Sequence, residues 1–252
     1  MSDTLSGFLL LSEPEALRSA FGGVKRLGPE YDNVNGWRYH EYVVDESIPQ
    51  VDVDGSAPYT HRLVVRRGFG RLILVSSNYH VCEHFIERDL RPLLPSYPRR
   101  ADIGVHDLVK RMTEYWTAGA NSTTGLLGGF AGLPKDVDAS EWDSFNQMYV
   151  LGYASSRTDA FSGSLQKMDF QGENLPSSSF FVEAVPLTRF RSCGLRTSSP
   201  SDQGFGGGYE LLRIGKSGFV SFSVPQSPRE RLTRFKDIER LLKTLSKFGI
   251  IK

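Results

Sequence analysis

The residues best suited to metal chemistry stand together in the run His80-Val81-Cys82-Glu83-His84. On a helix, His80 and His84 lie one turn apart on one face, a spacing that can bind zinc, whereas Cys82 points elsewhere. A site needs three or four ligands, and the other imidazoles and the second thiol are isolated in the sequence: His61, His106 and Cys193. The alternative is a first helical turn with a small buried cysteine. The sequence therefore predicts no metal and no cofactor, and His80 and His84 are the candidates if a metal binds.

Three short motifs are similar to phosphate or nucleophile sites but lack the context that those sites require. Gly215-Lys216-Ser217 has Glu210 where a Walker A loop needs a glycine, and it joins two predicted strands. The run Gly204–Gly208 has no strand before it and no helix after it. Asp52–Ser56 resembles the aspartate loop of haloacid-dehalogenase-like phosphatases, but Pro49 argues against the buried strand that should precede it. No catalytic residue is predicted, and an enzyme would need dispersed active-site residues.

Arginine is concentrated in stretches where a phosphate group could be recognised through bidentate hydrogen bonds. These arginines surround a predicted hairpin turn, precede the second half of the chain, or lie on a later predicted strand: Arg62, Arg66, Arg67, Arg71, Arg99, Arg100, Arg189 and Arg191. Nucleic-acid binding requires that they converge on one surface. Tyr79, Phe69 and Trp37 could supply stacking faces.

The chain of 252 residues has a formal net charge of only +1, which excludes a uniformly basic nucleic-acid coat. The charge alternates along the chain: −6 over residues 1–61, +5 over 62–100, −3 over 101–225 and +5 over 226–252. The apolar content of 39% excludes a disordered tail or a collagen-like chain. The small net charge therefore still allows a polar molecule with one positive face.

Compartment is predicted from the cysteines and from apolar runs. Only Cys82 and Cys193 occur, so we expect two thiols in a reducing compartment, the cytoplasm or the nucleus. The start of the chain does not have the basic region and apolar run of a signal peptide. No apolar run reaches the roughly 18 residues that span a bilayer, so no membrane partner is expected.

The element pattern predicts an α+β fold with a largely antiparallel sheet backed by helices. Its clearest elements are a hairpin of strands 62–67 and 71–77, and a last helix that begins with the capping box Ser227-Pro228-Arg229-Glu230 and ends at Gly249. Residues 24–36 are turn-rich, with Asn35-Gly36 as a breaker, and residues 179–192 are predicted as a strand.

The same pattern predicts two pseudo-equivalent β-α-β-β-β-α halves, residues 1–98 and 99–252, which could share one continuous sheet. Long loops are expected in the second half at 117–135, 155–178 and 197–208. In element order alone, this arrangement resembles the duplicated saddle of TATA-binding-protein-like folds, a likeness of fold that does not determine function.

Three function hypotheses follow. The leading one is a non-catalytic module that contacts nucleic-acid phosphates through the Arg-rich hairpin and neighbouring strands. The second is a subunit of a protein assembly or a homo-oligomer, in which the acidic residues 1–61 or the loop 117–135 meet a partner. The third is an enzyme with dispersed active-site residues.

Overall fold

A computed structural model describes these parts of the chain: residues 2–11, 14–52, 58–68, 71–121, 147–149, 152–154, 168–170, 178–187, 189–196 and 212–252. The chain divides into two compact units. The first unit comprises Met1–Asp102 and Ser217–Arg240, and the second comprises Ile103–Lys216 and Leu241–Lys252.

The described part of the first unit contains the strands β1 (Ser2–Leu11), β2 (Leu27–Val34), β3 (Trp37–Val44), β4 (Tyr59–Gly68), β5 (Arg71–Ser76), β6 (Arg99–Arg100) and β12 (Phe219–Pro225). They form an antiparallel sheet in the order β2-β3-β4-β5-β1-β12, and the short strand β6 lies beside β1. Asn35 and Gly36, with φ of 54° and 81°, form the two-residue turn that joins β2 to β3.

Helices cover both faces of this sheet. One face packs on α1 (Pro14–Gly23), α2 (Tyr79–His84), a π-helix (Phe85–Leu90) and a 3₁₀ turn (Arg91–Leu93), with Phe21 and Phe85 in its core. The other face carries Trp37, whose ring stacks on Phe235 of α5 (Pro228–Lys247). A strand that is buried on both faces has no reason to alternate, which accounts for the unbroken apolar run of β5.

The second unit has a smaller set of strands and helices. They are α3 (Val105–Asn121), β7 (Gln147–Tyr149), β8 (Gly152–Ala154), β9 (Met168–Phe170), α4 (Ser179–Ala184), a 3₁₀ turn (Val185–Leu187), β10 (Ser192–Arg196) and β11 (Leu212–Gly215). Strand β10 pairs antiparallel with β11 and β7, and β8 pairs with β9. None of the helices in the described parts of the chain has the length and apolar character needed to cross a membrane.

The α+β class with a large antiparallel sheet is confirmed, but several finer predictions are not. The predicted strand 179–192 is wrong, because Ser178 caps α4 and β10 begins only at Ser192. The turn-rich stretch contains β2, and α3 continues to Asn121 inside the predicted loop 117–135. The duplication and the saddle arrangement are not confirmed. Residues 122–135 and 197–208, and most of 155–178, lie outside the described residues.

Candidate ligand-binding site

The first unit contains a cavity of about 240 Å³ on the face of the sheet that α5 covers. Its polar wall comes from four strands and the first turn of α5: Asp3, Tyr31, Asp32, Tyr39, Arg62 and Arg231. Side chains alternate across a strand, so the register decides which of them share this face. Tyr39 lies opposite Asp32 on one neighbour and opposite Val64 on the other, and Val64 lies two residues from Arg62 on β4.

Two ion pairs set the charge of the cavity. Arg62 Nη1 donates to Asp3 Oδ2 at 2.8 Å, and Arg231 Nη1 donates to Asp32 Oδ2 at 3.1 Å. The bond to Asp3 is the main reason that the pKa of Arg62 is raised. Arg231 Nη2 also donates to the carbonyl oxygen of Gln226 at 3.1 Å. Its Nε is buried and has no hydrogen-bond partner among the described residues.

Aromatic rings connect the cavity to the core. Tyr39 is almost fully buried, whereas 52% of Tyr31 is exposed, and the two rings meet edge to face with centroids 6.1 Å apart. Arg231 lies over Tyr39, with its Cζ 5.8 Å from the ring centroid. Burial raises the pKa of Tyr39 to about 12, an effect that Arg231 partly offsets. The Tyr39 hydroxyl is therefore neutral at physiological pH and can donate or accept a hydrogen bond.

The arginines of the β4–β5 hairpin do not converge. Arg66 Nε and Nη2 donate to the two carboxylate oxygens of Glu239 at 2.7 and 3.2 Å. Arg67 follows on the opposite face, where its guanidinium lies 5.1 Å from the ring centroid of Phe21. Arg71 is half-buried, and burial lowers its pKa. Of the four, Arg62 lines the cavity.

The remaining predicted arginines lie in different surroundings. Arg99 is exposed, but Arg100 is half-buried, donates to Glu83 at 3.2 Å and lies 3.8 Å from the ring centroid of Phe8. Arg189 and Arg191 are exposed and belong to the second unit.

The two candidate metal ligands of α2 face different partners. His80 Nδ1 lies 3.1 Å from Glu83 Oε2, and His84 Nδ1 lies 2.8 Å from the hydroxyl of Tyr42. Cys82 is fully buried, and burial raises the pKa of its thiol. Within the described ranges, no three His, Cys, Asp or Glu side chains are grouped so that they could hold a metal ion.

The raised pKa of Tyr42 predicts that the stability of the folded protein depends on pH. Burial and a 2.5 Å hydrogen bond to Asp89 raise its pKa above the ordinary 10.0. The hydroxyl therefore stays protonated in the folded protein when it ionises in the unfolded chain. The contribution of this hydroxyl to the free energy of unfolding is fully present below pH 10. Above pH 10 it falls by about 1.4 kcal/mol per pH unit. Tyr39 acts in the same direction.

Urea denaturation from pH 8 to pH 11 measures this loss. Tyr42→Phe should lower the free energy of unfolding by about 1–3 kcal/mol at neutral pH, because it removes the hydroxyl that contacts both Asp89 and His84, and its stability should fall less steeply above pH 10. If the free energy of unfolding falls equally steeply with pH above pH 10 in the variant and in the parent protein, the prediction is wrong.

Sequence reasoning missed Tyr31, Tyr39, Asp3, Asp32 and Arg231 as site residues. The one signal that bears on them is the Asn35-Gly36 turn, because a two-residue turn places Asp32 opposite Tyr39. No sequence signal brings Arg231 to this pair, since it comes from α5, about 190 residues further along the chain.

Comparisons with known proteins give no independent indication of function. A scan against protein families, a search of curated proteins and a search of solved structures found no match.

Proposed function

We propose that the protein is a non-catalytic binding module and that the cavity of the first unit holds a phosphate group of its ligand. The observation that carries this proposal is the meeting of Arg62, from the sheet, and Arg231, from α5, in one cavity. Two guanidinium groups from separate elements can hold a phosphate from two sides, and arginine does this through pairs of parallel hydrogen bonds.

The hydrogen-bond inventory supports a ligand that accepts. A guanidinium has five N–H donors. Arg62 donates to Asp3, and Arg231 donates to Asp32 and Gln226, so both keep donor capacity beyond these bonds. Arg231 lies near the N-terminus of the twenty-residue helix α5, where the helix dipole also favours negative charge.

The proposal narrows the nucleic-acid hypothesis to one end of the β4–β5 hairpin. Arg66 is held by Glu239, and Arg67 lies against Phe21 on the other face of the sheet. A ligand that bound all four hairpin arginines would have to break these contacts. A phosphate at Arg62 and Arg231 requires no such change, whether it comes from a nucleic acid or from a small phosphate compound.

Two substitutions test the site directly. Arg62→Gln and Arg231→Gln should each weaken binding of pyrophosphate and of a short single-stranded oligonucleotide by about 10- to 100-fold, because each removes a charged hydrogen-bond donor. Isothermal titration calorimetry at about 50 mM salt measures both ligands before salt screens the charges.

Arg88→Gln is the matched control, since Arg88 is an exposed arginine of the same unit that pairs with Glu46 and does not line the cavity. Its affinity should equal that of the parent protein. Unchanged binding in both cavity variants, or no binding of either ligand to the parent protein, would refute the proposed function.

A further inference from the structure

We infer, on the basis of the proposed function, that the ligand is a nucleotide unit with an unpaired base, which stacks on Tyr31 while its phosphate lies at Arg62 and Arg231. If the ligand is a nucleic acid, the site then prefers a single strand to a duplex. The inference depends on three features of the cavity, which are its exposed ring, its two carboxylates and its size.

Tyr31 offers a supported aromatic face. It lies on the edge strand β2, more than half exposed, and its ring meets the buried ring of Tyr39. Tyr39 in turn contacts Phe235 of α5, with centroids 6.5 Å apart. The exposed ring is therefore held by a chain of aromatic contacts that leads into the core. Rings of this kind are the platforms on which single-stranded nucleic acids stack their bases.

The two carboxylates fit a nucleotide better than they fit a bare phosphate. Asp3 and Asp32 balance Arg62 and Arg231, so the four charged groups sum to zero. A carboxylate has about four acceptor sites, more than Asp3 or Asp32 uses in the bonds to Arg62, Arg231 and the Asn33 N–H. Sugar hydroxyls and the amino groups of bases are donors that such acceptors can bind. Inorganic phosphate offers them little at neutral pH.

The size of the site suits a single phosphate group. A cavity of about 240 Å³ can enclose a phosphate and part of one sugar. In a duplex the faces of the bases are covered by their neighbours, so Tyr31 can stack only on a base that has left the helix.

Fluorescence anisotropy with a labelled 5′-phosphorylated single strand, its duplex and competing ligands tests the inference. The single strand should bind at least about tenfold more tightly than the duplex, and a nucleoside monophosphate should compete better than pyrophosphate. Tyr31→Ala should weaken single-strand binding about tenfold and weaken pyrophosphate binding much less, whereas Tyr31→Phe, which keeps the ring, should bind the single strand more tightly than Tyr31→Ala does.

Tyr97→Ala is the control, because Tyr97 is similarly exposed, at 47%, in the same unit and does not line the cavity. Equal affinity of Tyr31→Ala and the parent protein, or equal affinity for single strand and duplex, overturns the inference. If Arg62→Gln still weakens pyrophosphate binding in that case, the proposed function stands. If neither pyrophosphate nor nucleic acid binds the parent protein, the proposed function and the inference are both wrong.

Discussion

Replacing Trp37 by alanine should lower the free energy of unfolding by about 3–5 kcal/mol, as large aromatic truncations in cores do. The side chain of Trp37 is fully buried. Its ring stacks on Phe235 at a centroid distance of 4.5 Å and an angle of 10°, and it meets Phe222 edge to face at 5.5 Å. Its indole N–H donates to Glu239 at 2.8 Å, so alanine removes a hydrogen bond as well as apolar contact.

Urea denaturation followed by far-ultraviolet circular dichroism measures this loss, because tryptophan fluorescence itself changes with the substitution. Trp37→Phe keeps a ring but not the N–H group and should lose less stability than the alanine variant. Tyr97→Ala removes an exposed ring and should stay within about 0.5 kcal/mol of the parent protein. A loss below about 1 kcal/mol for Trp37→Ala would show that α5 does not depend on this contact.

Elements with strong local signals could be predicted from the sequence. The capping box Ser227-Pro228-Arg229-Glu230 predicts the start of α5, which begins at Pro228. Gly249, with φ of 67°, follows its end as a glycine cap. The hairpin of β4 and β5 is also confirmed, with ends that differ from the prediction by a few residues. In each case the information lies within a few residues of the feature it specifies.

Strand β2 shows how edge position weakens a local signal. It carries Pro29, Glu30 and Asp32, residues that are uncommon in central strands, and its pairing with β3 is irregular. An edge strand tolerates these residues because one side of it has no neighbour in the sheet. The Asn35-Gly36 pair is a strong hairpin signal, and it implies a strand before Trp37.

The prediction of a strand over residues 179–192 is wrong because it followed residue type and overlooked spacing and capping. Phe180, Phe181 and Val182 favour a strand by residue type. The buried residues are instead Phe181, Ala184 and Val185, which recur at helical spacing, and Ser178 accepts the N–H of Phe181 as an N-cap. Spacing and capping outweigh residue type in this segment.

The candidate site could not be predicted because it depends on strand order. Asp3 and Arg62 meet although β1 and β4 are not adjacent in the sheet, since β5 lies between them. Whether an arginine is available to a ligand or stabilises the fold depends on the carboxylate nearest to it in the structure. For Arg66 that carboxylate is Glu239, which lies 173 residues away in the sequence. Arginine clustering in the sequence therefore identified Arg62 and Arg66 alike, although their surroundings differ.

A paired substitution separates these two arginines. Arg66→Ala should lower the free energy of unfolding by about 2–4 kcal/mol, because it leaves the Glu239 carboxylate poorly paired in a site where its side chain is only 14% exposed. Arg62→Ala should cost less than about 1 kcal/mol, because Arg62 and Asp3 are both about half exposed. Urea denaturation of the two variants under identical conditions gives the comparison.

The double variant Arg66→Ala with Glu239→Gln identifies the cause of the loss, because it differs from Arg66→Ala only in the charge at position 239. It removes both charges, and the oxygen of the introduced amide can still accept the Trp37 indole N–H, so more than half of the stability lost in Arg66→Ala should return. If the double variant is no more stable than Arg66→Ala, the loss came from the packing of the arginine stem and not from an unpaired charge. Because Arg66 stabilises the fold, weaker ligand binding by an Arg66 variant does not locate the site, whereas weaker binding by a stable Arg62 variant does.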